Sequence, residues 1–303
     1  MEAQTVLSGW LAIDKPSGVS SSQVVTIIKH HLQSYKTWNG LKIGHAGTLD
    51  PFANGVLPIA IGEATKTINF VQSFLKEYIF DMQFGQQTDT LDPEGQIIQI
   101  SQFMPSKKDI EDILPQFTGK IWQIPPCFSA LKINGERAYT LAREGKKFEL
   151  AKRQVDIYSL ELLEFCFTSN SAKLKVTSGK GTYIRSLARD IAIALGSCAY
   201  VSSLRRIKVG LFCEETLILL ENIEQIVHNG IFERKLLSVD VVLDDIPVLL
   251  LSKDKVSLIK NGQAVPVSDY DQCTVLLVKS NNLPIALGSV TNGYFKPTRV
   301  FNL

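Results

Sequence analysis

Short apolar runs punctuated by Gly and Pro dominate this chain, and only a few stretches carry the rhythm of an amphipathic helix. Gly9 to Ile13 reads as a strand ended by the turn signals Pro16 and Gly18. A helix is expected next, capped by Ser20, Ser21 or Ser22, with Val24, Val25, Ile27, Ile28 and Leu32 at helical spacing and an end near Gln33. The connection from Ser34 to Asn54 has no periodicity, and loops of that length are functional or disordered; its content favours function. Gly55 to Gly62 is a short apolar strand, and Tyr78 to Phe84 alternates as a half-buried strand does. The pattern then gives a helix over Ser106 to Leu114 and a strand over Gly119 to Gln123, closed by Pro125 and Pro126. It continues with β-rich stretches over Arg153 to Phe167 and Leu174 to Ser178, and a buried amphipathic helix over Tyr183 to Leu195. Helical segments are expected from Glu215 to Arg234. Such a mixture without regular alternation implies an α+β fold around a largely antiparallel mixed sheet. Ile246 and Pro247 mark a boundary, so two units are expected, residues 1–245 and 246–303. The second carries turn signals at Asn261-Gly262, Asn281-Asn282 and Asn292-Gly293 and reads as a small β-barrel.

At 303 residues and 45% hydrophobic content the chain can build a substantial core. No apolar run reaches the ~18 residues that span a bilayer, and the N-terminus lacks a secretory pattern, so a cytoplasmic protein without membrane association is expected. Cys127, Cys166, Cys198, Cys213 and Cys273 are scattered and nowhere form C-x-x-C, which argues against a disulfide framework and against zinc. Net charge is only +2, yet its distribution is uneven. Between Asp14 and Asp50 no acidic residue occurs, while Lys15, Lys29, His30, His31, Lys36, Lys42 and His45 do, with Tyr35 and Trp38 among them. Arg205, Arg206 and Lys208 form a second cluster, and the acid-free C-terminal stretch from Gln272 holds Lys279, Lys296 and Arg299. Three basic clusters together point to a polyanionic ligand.

The segment from Gly44 to Pro58 places Asp50 in a Gly-rich loop ahead of Pro51, which excludes the helical region for Asp50 and aims its side chain. The run GHAGTLDPFANGVLPIAIGEATK closely resembles the catalytic motif of the TruB family of pseudouridine synthases, and IDKPSGVSS resembles that family's N-terminal motif. The likeness continues through KEYIFDMQFGQQTDTLDPEGQI, IPPCFSALKINGERAYTLAREG, SGKGTYIRSLARDIA and VSSLRRIKVG in the same order.

The resemblance implies a transfer RNA pseudouridine synthase acting on the T-loop uridine, position 55 of tRNA, with no cofactor and no metal. Asp50 would attack the sugar or assist departure of the base, roles that need an ionised carboxylate. Arg185 matches the arginine that pairs with it, and Tyr78 the tyrosine that stacks on the flipped base. Tyr183 and Leu204 match other pocket-lining positions, His45 the histidine that fills the space the base leaves, and Asp92 an acidic residue organising polar contacts. Lys15 supports the pocket or contacts phosphate, and Arg205 and Arg206 are expected on RNA backbone. The C-terminal unit resembles the PUA domain of that family, gripping the acceptor-stem side of tRNA. The partner is tRNA, through its T-loop and stem, with no obligate protein partner and a monomeric enzyme expected. The rival is a tRNA-binding and folding module in which isomerisation is secondary; Asp50 together with Arg185 and Tyr78 favours catalysis. A carbohydrate glycosidase would need a carboxylate pair.

Overall fold

The computed structural model describes residues 7–33, 38, 40–268 and 270–303. Tyr35 and Lys36 of the basic N-terminal segment lie outside these. Strand β1 (Gly9–Lys15) is buried almost throughout and leads into helix α1 (Ser21–Gln33). The helix is entered through a capping box, in which Ser20 Oγ accepts from the Gln23 amide and Gln23 Oε1 from the Ser20 amide. Val24, Ile28 and Leu32 form its buried stripe, against Leu11, Ile13 and Leu57. Strand β2 (Ile43–His45) falls inside the expected long connection, too short for a period to show. Strand β3 (Asn54–Ile61) is apolar on both faces because it lies between two cores.

Helix α2 (Ile68–Ser73) precedes strand β4 (Lys76–Phe84), whose strict alternation of burial is the one read from sequence. A hairpin of β5 (Gln86–Thr88) and β6 (Ile97–Ile100) brackets the turn that carries Asp92. Helix α3 (Lys107–Ile113) has Ser106 as its cap, with Asp109 closing a capping box. Strand β7 (Gly119–Gln123) ends ahead of two prolines. A small excursion follows, of β8 (Lys132–Ile133), β9 (Glu136–Arg137) and helix α4 (Ala138–Arg143). Strands β10 (Arg153–Cys166) and β11 (Ser171–Ser178) form a long hairpin, and helix α5 (Ile184–Ala194) packs Leu187, Ala188 and Ile191 on the sheet. Strand β12 (Ala199–Val209) is followed by β13 (Phe212–Cys213), β14 (Ile218–Leu219) and helix α6 (Ile223–His228). The helices expected from Glu215 to Arg234 are thus one short helix, 3-10 turns and a two-residue strand.

These strands make one mixed sheet in the order β14-β1-β3-β12-β4-β11-β10-β7, antiparallel except at β14/β1 and β3/β12. The β3/β12 junction is where the loop of Asp50 meets Arg205 and Arg206. The C-terminal residues form β15 (Val248–Leu250), helix α7 (Lys253–Lys260), β16 (Val265–Pro266), β17 (Gln272–Ser280), β18 (Leu283–Thr291) and β19 (Tyr294–Val300). Their sheet order is β15-β17-β18-β19-β16, half of a barrel wall with β15 and β16 as its edges. Asn281, Asn282 and Asn292 take positive φ at the expected turns. Leu277, Leu287 and Phe301 bury themselves with Trp10, Val242 and Leu243, so this sheet shares a core with the first. No helix among the described residues is long and apolar enough to cross a membrane.

Candidate active site

Asp50 stands in the loop between β2 and β3, and the N-terminal motif holds that loop from beneath. Lys15 is fully buried, and its Nζ donates to the carbonyls of Pro16, Val19 and Pro51 at 2.9, 2.6 and 3.2 Å. The Gly18 amide donates to Pro51 O at 2.8 Å, and Ser17 Oγ to Phe52 O. Ser21 Oγ donates to Leu49 O and accepts from the Leu49 amide. From the other side Arg206 donates through Nε to Val56 O at 2.7 Å and through Nη2 to Gly47 O at 3.1 Å. The backbone is thereby anchored at Gly47, Leu49, Pro51 and Phe52 on both sides of Asp50, which pre-orients its carboxylate.

Arg185, on the first turn of α5, is 3% exposed and reaches that carboxylate, its Nε 2.8 Å from Asp50 Oδ2. Its other nitrogens donate to Thr90 O at 2.7 Å, Asp92 Oδ2 at 3.1 Å and Phe128 O at 3.0 Å. Asp92 also accepts from Thr90 Oγ1 at 2.6 Å and from the Glu94 amide. Leu91, between Thr90 and Asp92, has φ 61°, a strained setting for a branched side chain that turns both neighbours towards Arg185. Burial pushes the Asp92 carboxyl above its ordinary value, against the Thr90 hydrogen bond and the Arg185 charge. The sequence shows no partner carboxylate in a comparable motif, yet the fold brings Asp92 to the same guanidinium. With its oxygens engaged and 5% exposure, it has no open face for a leaving group.

Two chambers meet at Asp50, Arg185 and Ser129. One, of 660 Å³, contains His45, Asp92 and Arg143 in its wall. The other, of 740 Å³, is walled by Tyr78, Tyr183 and Leu204 with Lys76, Arg153 and Arg206. Tyr183 is fixed by a reciprocal pair, its amide donating to Gln123 Oε1 at 3.1 Å and Gln123 Nε2 donating to Tyr183 O at 3.3 Å. The Arg153 guanidinium lies 4.5 Å from the Tyr183 ring centre. Burial, then the charge of Arg206, lowers the affinity of His45 for a proton, which keeps its imidazole neutral at neutral pH. Among the described residues no group of three or more His, Cys, Asp or Glu could hold a metal ion.

The structure therefore gathers Asp50, Arg185, Tyr78, Tyr183, Leu204, His45 and Asp92 around one site. It corrects two others. Arg206 is 1% exposed and spends its donors on backbone carbonyls, so it braces the loop and a chamber wall instead of standing out towards RNA backbone. Arg205 is tied to Asp14 at 3.2 Å, to Asn54 and to Glu214, and its charge is neutralised locally. Lys15 takes the supporting role of its two alternatives, since its ammonium is buried among carbonyls. Ser21, Gln123 and Arg153 were not legible as parts of the site: their partners Leu49, Tyr183 and Gly181 lie 28 to 60 residues away in the chain, beyond any local pattern.

The mixed sheet and its C-terminal extension superpose on a chain of a Cbf5–Nop10–Gar1 complex with TM-score 0.71 and 26% identity, covering 97% of this chain and 85% of that one. A chain of an H/ACA RNP structure gives TM-score 0.72 at 24% identity over 98% of this chain and 86% of that one, a likeness of fold. The family models that the chain matches define its class, a pseudouridylate synthase. Residues 33–184 match the TruB family pseudouridylate synthase N-terminal domain, residues 185–245 match the tRNA pseudouridylate synthase B C-terminal domain, and the chain belongs to the TruB family. Relatives named tRNA pseudouridine synthase B include that of Ehrlichia ruminantium (strain Gardel), 42% identical over 97% of this chain and 99% of its own. That of Rickettsia bellii (strain OSU 85-389) is 43% identical over 98% and 99%.

Proposed function

We propose that this chain is a tRNA pseudouridine synthase that isomerises the T-loop uridine, position 55 of tRNA, with Asp50 as its catalytic carboxylate. The observation that carries this reading is the Asp50–Arg185 contact of 2.8 Å at the mouth of a chamber walled by Tyr78 and Tyr183. The target base turns out of its stack into that chamber, where Tyr78 and Tyr183 offer π-faces and Leu204 an apolar wall. Asp50 attacks C1′ or supports the cationic sugar as the C1′–N1 bond breaks. The base then rotates and the C1′–C5 bond forms. C5 loses a proton and N1 gains one, so the reaction balances without a further reactant. Arg185 lies against the carboxylate and positions it, Asp92 keeps Arg185 in place, and His45 occupies the neighbouring chamber, where it can fill the gap left in the RNA stack.

Residues 1–245 make up the catalytic unit and residues 246–303 a PUA-like unit that grips the acceptor-stem side of tRNA. The boundary is supported by the start of the second sheet at Val248. The chain is read as a cytoplasmic monomer that works without an obligate protein partner. A binding module in which isomerisation is secondary would not need a carboxylate in a cavity meant for a polyanion. Release of tritium from C5-labelled uridine in a tRNA transcript tests the reading. Native protein releases it at the T-loop, and Asp50→Asn abolishes release while binding persists. Tight binding without release by the native protein would reduce the chain to a binding module.

A further inference from the structure

Positive charge in the Tyr78 chamber is unbalanced. Lys76, Arg153, Lys180 and Arg206 line it and, among the described residues, none forms an ion pair with a carboxylate; Asp50 is the one acidic residue of its wall. Elsewhere on the sheet Lys173, Lys175, Arg205 and Lys208 all have carboxylate partners. Two of the chamber's cations are buried, with Lys76 Nζ donating to Gln72 O and Phe74 O. Desolvation, Arg206 and Lys180 lower Lys76 to about 8, in that order, which marks the mutual repulsion of these cations. Arg153 carries a buried Nε without a partner, and Lys180, in the turn before α5, is exposed beside it.

A uracil and its ribose are neutral, and chemistry at C1′ uses one carboxylate. Four cations without a carboxylate partner exceed what a nucleoside can match, and the two buried ones, Lys76 and Arg206, give their donors to neutral carbonyls that leave the charge itself uncompensated. The groups that bring matching charge are the phosphodiesters on either side of the target nucleotide. We propose that Lys180 and Arg153 hold one of these two phosphodiesters, with Lys76 and Arg206 behind them as a fixed positive field. This deepens the reading of the chain as an RNA-modifying enzyme and rests on it. The subsite explains how an anionic backbone is drawn next to the Asp50 carboxylate, and it makes a nucleotide in a chain the substrate in place of free uridine.

The test is a binding cycle on T-loop hairpins that carry one neutral methylphosphonate, placed 5′ of the target uridine, 3′ of it, or in the distal stem. One flanking methylphosphonate weakens native binding about tenfold, the size expected for one charge-assisted contact. The same change costs Lys180→Ala only about threefold, because that variant has already lost the Lys180 share of the contact and keeps the Arg153 share, and a distal methylphosphonate costs both proteins equally. Lys180→Ala on unmodified hairpin also lowers the salt slope of binding by about one. Lys180 is exposed, so its truncation leaves the fold intact. Equal losses in native and variant at both flanking positions, or no loss in the native protein at either, overturn the subsite. Absence of tritium release from unmodified hairpin would instead overturn the isomerase reading, and the binding cycle would still decide the phosphodiester contact.

Discussion

Nε of Arg185 lies 2.8 Å from Oδ2 of Asp50, yet the contact is an ion pair without the alignment of a hydrogen bond. The other nitrogens of the guanidinium are committed to Thr90, Asp92 and Phe128, so its position is set by the enzyme and not by Asp50. The Asp50 carboxylate thus meets a fixed cation without being tied to it by an aligned hydrogen bond, which leaves it able to advance on the sugar. Arg185→Lys keeps a charge and loses the fork that spans these partners. Single-turnover kinetics should show the chemical step slowed about a hundredfold or more with RNA affinity little changed. Arg185→Met strands the buried Asp92 and should cost about 3–5 kcal/mol in denaturant unfolding. A Lys variant with the native rate would remove Arg185 from the chemistry.

Asp92 illustrates a cost in stability that supports geometry. Burial first, then the Asp50 charge, raises its carboxyl, outweighing Thr90, Arg185 and the Glu94 amide. A carboxyl raised in the folded state takes up a proton before the unfolded chain does, so its ionised form weakens the fold at neutral pH. The penalty fades as pH falls through the folded value and is gone below the ordinary value of about 3.9. Asp92→Asn keeps acceptors for Thr90 and Glu94, and should melt higher than native near pH 7 with no advantage near pH 3. Its turnover should fall, because Nη1 of Arg185 loses its charged partner. A lower melting temperature at neutral pH would contradict the sign.

Strong local signals made half of this legible. The alternation of β4, the serines before α1 and the two prolines after β7 each act within a few residues, and the structure follows them. The central strand β12 had no such signal, since Arg205 and Arg206 interrupt its apolar run; Arg206 is tolerated there because backbone carbonyls of the Asp50 loop take its donors. Helix α7 spans only eight residues, about two turns, too few for a helical period to stand out. Asp50 and Arg185 were readable through their motifs, whereas Gln123 and Arg153 matter only through what the sheet places beside them. The basic clusters point to a polyanion, in keeping with the family, but charge along a sequence does not reveal which cations are already paired, as Arg205 is with Asp14 and Glu214.

Lys15 and Lys76 give the enzyme an alkaline signature. Burial is the largest cause that lowers each to about 8, offset at Lys15 by Asp50 and reinforced at both by Arg206. For a lysine lowered in the folded state, the unfolded chain holds the proton longer, so between about 8 and 10.5 these groups make stability rise with pH. RNA affinity runs the other way, since Lys76 loses its charge over the lower part of that range. Binding titrations from about pH 7 to 9.5 should weaken in the native protein and stay flatter in Lys76→Met, with Lys15 common to both. Parallel curves would exclude Lys76 as the titrating group.

Gly55 is the position at which the loop of Asp50 can least accept a side chain. Its φ is +101°, and a Cβ there would meet the backbone oxygen of Arg206 at 2.2 Å. Both a left-handed setting and a backbone clash oppose substitution, and neither partner can yield, because Arg205 and Arg206 pair with Asn54 and Gly55 across the β3/β12 junction. Gly55→Ala must separate these strands or rotate the loop. Separation takes Arg206 away from Val56 and Gly47, and with it the anchor of the Asp50 loop. The variant should lose about 2–4 kcal/mol of stability by denaturant titration, the range of backbone strain combined with a broken buried network. Folded Gly55→Ala protein should also turn over far more slowly than native while still binding tRNA through its distant contacts. Native stability and native turnover together would show that the loop has a second way to hold Asp50.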